Sequence, residues 1–253
     1  MSGTPDTPLA GRTAVVTGGT RGVGLAIARA LCARGVEVVL NYAHSDADAD
    51  AALAGLASFA GTATAVKADV SDAAALTGLL EQAKERFGGL DIFVHNTACF
   101  HPSSAVNADP VSIDRSLALS LRPLLVGAPI LAELMAGRPG RVLAVSSFGA
   151  HRVVPHYVGS GVAKAALECL VRYLAVELAG RGIAVNAVST SKVDKGESTI
   201  RPEQVKALAA RTPAGRLTTP EDLAAVVTLL CSDDAAWIHG QVITADGGLG
   251  LVA

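Results

Sequence analysis

Tyr157 and Lys164 are the residues of this sequence whose types and spacing could move a proton. A phenol donates to an oxygen that gains negative charge during a reaction, and a nearby ammonium makes that donation easier. Both lie in His151-Arg-Val-Val-Pro-His-Tyr-Val-Gly-Ser-Gly-Val-Ala-Lys-Ala-Ala-Leu-Glu168, which passes from a polar loop into an apolar, helix-forming run. Seven helical steps of about 100° return nearly to the starting azimuth, so the two side chains would project from one face about two turns apart. Ser160, four residues before the lysine, shares that face. The same residues also fit a tyrosine at a helix N-terminus and a lysine snorkelling from a buried helix. The elements around them must decide.

Thr13-Ala-Val-Val-Thr17 is a short apolar run that ends in Gly18-Gly-Thr-Arg-Gly-Val-Gly24 and continues as Leu25-Ala-Ile-Ala-Arg-Ala-Leu-Cys-Ala-Arg34. The pattern predicts strand, glycine turn, helix. Glycines let a backbone approach a pyrophosphate closely, and a helix N-terminus supplies N–H groups and partial positive charge. Further strands are predicted at Val36–Leu40, Thr62–Lys67, Leu90–His95, Arg141–Ser146, Ala184–Val188 and Val242–Ala245, with helices at Asp46–Phe59, Asp72–Phe87, Ser112–Met135 and Val158–Ala179. Pro202 and Pro220 open two more, to Arg211 and Cys231. Alternating apolar strands and helices imply an α/β fold, a Rossmann-like, doubly wound parallel sheet of about seven strands. Pro123 and Pro129 predict a kink in the fourth helix.

The chain has 253 residues, half of them hydrophobic, and no linker or repeat marks a second domain. A flexible lead over 1–10 and one domain over 11–253 are expected. The net charge of −2 comes from scattered charges, which argues against nucleic acid or an anionic membrane as partner. No signal peptide and no membrane-spanning apolar run is read. Cys32, Cys99, Cys169 and Cys231 stand far apart, without metal-ligand spacing, as reduced thiols of a cytoplasmic protein would.

With these motifs in place, the chain resembles the classical short-chain dehydrogenases/reductases from Thr13 to Gly248. The resemblance rests on the glycine turn, Asp69-Val70, His95-Asn-Thr-Ala98, Ser146-Ser147, Lys164 and Asp246-Gly-Gly248. The departures from the family are specific. Ser160 stands where the usual Tyr-x-x-x-Lys signature has its tyrosine, Ser120 where the fourth helix carries an asparagine, and Ser189-Thr190 where Pro-Gly follows the sixth strand. Tyr157, with six residues between it and Lys164, is similar instead to the type III enoyl-acyl-carrier-protein reductases.

The resemblance implies Tyr157 as proton donor, Lys164 holding the nicotinamide ribose and Ser147 bonding substrate, with Phe100, His101 and Arg152 at the substrate mouth. His95 reads as a structural histidine. Gly18, Arg21, Gly22, Val23 and Gly24 would wrap the phosphates, Asp69 and Val70 face the adenine, and Asn96 and Val193 complete the cofactor site. The second strand carries no acid at its tip to exclude a 2′-phosphate, while Asn41, His44, Ser45 and Arg21 can donate to one, so NADPH is the expected cofactor. A displaced tyrosine suits reduction of a conjugated C=C, where hydride enters the β-carbon and charge gathers on an oxygen three bonds away. An enoyl thioester on a carrier protein is the family-implied substrate. An atypical ketoreductase acting on a polycyclic or polyketide-type compound and a catalytically silent NADP-binding protein are the alternatives. A small-molecule or carrier-bound partner and a homotetramer joined through the fourth and fifth helices are expected.

Overall fold

The strands are nearly continuous apolar runs because both faces of their sheet are covered. The computed structural model describes residues 9–196 and 202–252. Its elements are β1 (Thr13–Val16), α1 (Gly22–Cys32), β2 (Glu37–Tyr42), α2 (Asp46–Leu56), β3 (Ala63–Lys67), α3 (Ala73–Phe87), β4 (Ile92–His95), α4 (Pro110–Leu125), α5 (Gly127–Leu134), β5 (Gly140–Val145), α6 (Val158–Ala179), β6 (Ile183–Ser189), α7 (Pro202–Arg211), α8 (Pro220–Cys231), β7 (Val242–Thr244) and α9 (Leu249–Val252). All seven strands are parallel, in the order β3-β2-β1-β4-β5-β6-β7.

Period-two alternation divides the core between the faces. Val15, Val39, Phe93, Val142 and Val185 meet Leu76, Leu80, Leu124, Leu167 and Val171 on one side. Ala14, Val16, Val38, Leu40, Val94 and Leu143 meet Ile27, Leu31, Leu56, Leu223 and Val227 on the other. The α4 and α6 helices pack together across the first face, and α1 and α8 across the second.

Three boundaries differ from the sequence reading. Leu9, within the expected flexible lead, is fully buried in the second core; the rest of that lead, residues 1–8, lies outside the described residues. The fourth helix begins early because both carboxylate oxygens of Asp109 accept from the N–H groups of Val111 and Ser112, with Pro110 at the first helical position. It then divides at Val126, after Pro123, into α4 and α5. Pro129 falls in the first turn of α5, where its missing N–H would have had no intrahelical partner. The joined run Pro110–Leu134 is also long and apolar enough to cross a membrane, contrary to the sequence reading, yet in the fold it lies against α3 and α6.

Candidate active site

The strand order reverses between β1 and β4, and the crevice beyond their carboxyl ends is where open α/β sheets take ligands. The glycine turn borders it. Gly18 and Gly22 sit at φ +60 and +54, the left-handed region glycine tolerates. A Cβ on Gly24 would lie 2.1 Å from the carbonyl oxygen of Gly18, so helix and turn approach this closely only with glycine there. Val23 is half-buried and Arg21 extends into solvent, its guanidinium 3.8 Å from Asp48. Asn96 does not face outward. Its amide donates to the carbonyls of Thr17 and Gly18 at 3.1 and 3.2 Å, fastening β4 to the turn.

Two expected cofactor contacts are corrected. Asn41 is 2% exposed and donates to the Ala68 carbonyl at 2.8 Å. Because β2 runs on to Tyr42, Asn41 lies inside the sheet edge rather than at the strand tip. The Val70 side chain is buried in the first core, so only its backbone can meet a ligand. The usable tip is His44 and Ser45. Ser45 Oγ accepts from Asp48 N as the α2 cap and keeps its own proton to donate. The nearby Asp46 is engaged by the Tyr42 hydroxyl and Lys67, and hydrogen bonds from both hold its carboxyl below the usual range. Asp69 accepts twice from Ser71, which lowers its pKa likewise. Val193 forms an isolated bridge with Thr218 that anchors the segment after β6. Thr97 Oγ1 after β4 and Ser191 Oγ after β6 are buried without a partner among the described residues. Orphaned hydroxyls along this crevice fit a polar ligand such as a dinucleotide.

The other end of the crevice holds the residues expected to move a proton. Tyr157 stands at the N-cap of α6, just outside its regular dihedrals, and the helix runs unbroken from Val158 through Lys164. Lys164 is buried and donates to the Val145 carbonyl at 2.7 Å. Burial lowers its pKa from 10.5 to about 8, against an upward pull from Cys99 and Glu168. Ser147 caps the 3₁₀ turn Phe148–Ala150, its Oγ accepting from Gly149 N at 3.3 Å. A Cβ on Gly149 would lie 2.5 Å from Tyr157 Cδ1 and 3.7 Å from Ser147 Oγ, so serine and phenol ring flank one glycine. Ser160 is buried and donates to the Cys99 carbonyl at 3.2 Å. Phe100 is exposed beside the Tyr157 ring, with centroids 5.6 Å apart, and Arg152 donates to the Gly250 carbonyl of α9. His101 is exposed on the same loop as Phe100.

Two buried networks complete the site. His95 is fully buried between Thr17 Oγ1 and the Ser120 carbonyl, at 3.2 and 3.1 Å. Thr17 Oγ1 already accepts from the N–H groups of Asn96 and Thr97, so its proton goes to Nδ1, and Nε2–H donates to Ser120. Burial and the Lys164 charge push the imidazole down to about 3, which keeps it neutral. Sequence reasoning passed over Glu168. It is 1% exposed, accepts from Ser146 Oγ at 2.5 Å, and has His151 Nε2 in ion-pair range. An acidic residue one turn beyond a buried lysine in an apolar helix was the available signal.

Residues 18–250 match the family described as enoyl-(acyl carrier protein) reductase. A 1-cyclohexenylcarbonyl-CoA reductase of Streptomyces collinus is 36% identical over 96% of this chain and 88% of its own length. The chain belongs to the short-chain dehydrogenase/reductase family. A versicolorin reductase of Emericella nidulans is also 36% identical, over 98% of this chain and 99% of its own. Among solved structures, a short-chain dehydrogenase of Burkholderia cenocepacia in complex with NADP superposes with a TM-score of 0.88 at 32% identity, covering 96% of this chain and 99% of that one. A Serratia marcescens short-chain dehydrogenase/reductase gives 0.89 at 33%, over the same shares. This short-chain dehydrogenase/reductase therefore has the seven-stranded fold expected of it, and the relatives mark it as a reductase that takes a nicotinamide cofactor.

Proposed function

We propose that this protein uses NADPH to reduce the C=C bond of a conjugated carbonyl compound, with an enoyl thioester as substrate. The observation that carries the reading is the two-turn separation of Tyr157 from Lys164, with the intervening Ser160 hydroxyl given to a backbone carbonyl. When bound, the cofactor supplies the hydride. Tyr157 donates toward the carbonyl oxygen as enolate charge develops there, Ser147 supports the same oxygen, and Lys164 holds the ribose while its charge eases release of the phenol proton. Gly18, Gly22 and Gly24 admit the pyrophosphate, and Arg21, His44 and Ser45 recognise the 2′-phosphate. Asn41, turned inward, has no part in that recognition. The name of the Streptomyces collinus relative, a reductase of an α,β-unsaturated thioester, supports this chemistry.

A second reading is a ketoreductase acting on a polycyclic compound. The exposed Phe100 ring beside Tyr157 favours it, as do relatives named for versicolorin and hydroxynaphthalene reduction. NADPH consumption with crotonyl-CoA and with an aromatic ketone separates the two. We expect turnover of the thioester, at least roughly tenfold tighter binding of NADPH than NADH, and a loss of about 10²- to 10³-fold in kcat for Tyr157→Phe. Turnover of the ketone alone would establish the second reading. NADPH binding without turnover of either would indicate a protein that binds the cofactor without catalysis.

We further propose a homotetramer in which α4 and α6 supply one interface. Leu121, Leu125, Ala166, Cys169, Leu170 and Tyr173 line an apolar groove between these helices.

A further inference from the structure

Ser160 faces the Tyr157 side of α6, yet its proton is already placed, on the Cys99 carbonyl at 3.2 Å. Two further contacts join the same two segments, and a third ties Cys99 to α4. The Phe100 ring lies 5.6 Å from that of Tyr157, tilted by 32°. The Ser103 N–H donates to the His156 carbonyl at 3.2 Å, beside an isolated bridge between Ser103 and Tyr157. The Cys99 thiol rests 3.6 Å from Ser116 Oγ on α4. His156, immediately before the tyrosine, is held at φ +61, the only described non-glycine residue in the left-handed region. Such a conformation persists where surrounding contacts over-determine it.

The phenol ring thus has two walls. One is the backbone of Gly149, so close that a Cβ would lie 2.5 Å from Cδ1 and 2.6 Å from Cε1 of the ring. This wall cannot move without moving the turn that carries Ser147. The other is Phe100, an exposed side chain on a loop whose inner end is fastened by Ser160 and whose outer end is fastened at Ser103.

We propose that Ser160 is a positioning residue: by holding the Cys99 carbonyl it seats Phe100 against Tyr157 and so fixes where the phenol points. The proposal rests on the reading of Tyr157 as the proton donor. It assigns no proton transfer to Ser160, whose hydroxyl would have to abandon a buried backbone acceptor to reach substrate.

The test compares Ser160→Ala and Ser160→Thr, each alone and combined with Tyr157→Phe, under saturating NADPH with crotonyl-CoA. All are made in a Cys169→Ser background, which removes the exposed thiol, so that labelling by a disulfide reagent reports Cys99. Ser160→Ala is expected to lower kcat about three- to tenfold, the worth of one hydrogen bond, with NADPH affinity within about twofold. Threonine, which keeps the hydroxyl, should restore most of the loss. Cys99 should label faster in Ser160→Ala than in the parent, and Ser160→Ala should cost nothing further once Tyr157 is phenylalanine. Equal losses in both tyrosine backgrounds, or an unchanged labelling rate, would overturn the proposal. Full activity in Tyr157→Phe would instead remove the reading beneath it, and the labelling rate would still show whether Ser160 holds the loop. An inactive Ser160→Ala beside an active Tyr157→Phe would make the serine the acid and end both.

Discussion

Lys164 is a charge kept out of water, and that has a sign that can be measured. Burial lowers its pKa from 10.5 to about 8. Between those values the unfolded chain holds a proton that the folded chain lacks, so the lysine's contribution to stability rises as pH climbs through that window. Below about pH 8 both states are charged and the cost of burial, roughly 3 kcal/mol, stands in full. Lys164→Met is therefore expected to be more stable than the parent at pH 7, with the gap closing toward pH 10.5 in urea melts. A gap that stays constant over that range would mean the ammonium is solvated. On the proposed function, the same deprotonation would remove the charge that eases release of the phenol proton, so kcat/KM for NADPH should fall as pH rises past about 8 in the free enzyme. The separation of Tyr157 from Lys164 was legible because the helix that opens right after Tyr157 sets it. The inward turn of Asn41 was not, since it depends on β2 running on to Tyr42, and strand ends are decided by partners rather than by local sequence. Glu168 was missed for a related reason: what a buried carboxylate touches, here Ser146 and His151, is known only once the chain is folded.

Elements that begin with strong local signals matched their structures closely. Thr219-Pro220-Glu221-Asp222 announces α8 and forms a reciprocal capping box, with Thr219 Oγ1 accepting from Asp222 N and the Asp222 carboxylate accepting from Thr219 N. Arg216 pairs with the same carboxylate, and its hydrogen bond, the largest cause, pulls the acid's pKa well below the usual range. Thr219→Ala is expected to lower stability by about 1 kcal/mol, seen as a reduced urea midpoint with unchanged slope. A change below about 0.3 kcal/mol would show that Arg216 and Pro220 hold the end alone. The break between α4 and α5 was foreseeable from Pro123, and it falls at Val126, with α4 packed mainly on α6 and α5 on α3.

At the scale of the molecule, α6 has more apolar surface than its own subunit covers. Tyr173 is 66% and Val176 80% exposed on the same helix, and Leu125 of α4 is 55% exposed beside them. If these meet a second copy in the proposed tetramer, Tyr173→Asp should give a smaller species by light scattering at micromolar protein. An unchanged mass would exclude this face as the interface. The order of strands carries a consequence in time as well as in space. The edge half of the sheet, β3-β2-β1-β4, is drawn wholly from residues up to His95, while Tyr157, Lys164 and Ser147 are all translated later. The glycine turn and its β4 fastening at Asn96 can therefore assemble on the ribosome before the half that carries Tyr157 and Lys164 has been made. Nascent chains stalled with β4 and the turn after it clear of the exit tunnel should resist protease across β1–β4, whereas chains stalled before β4 should not.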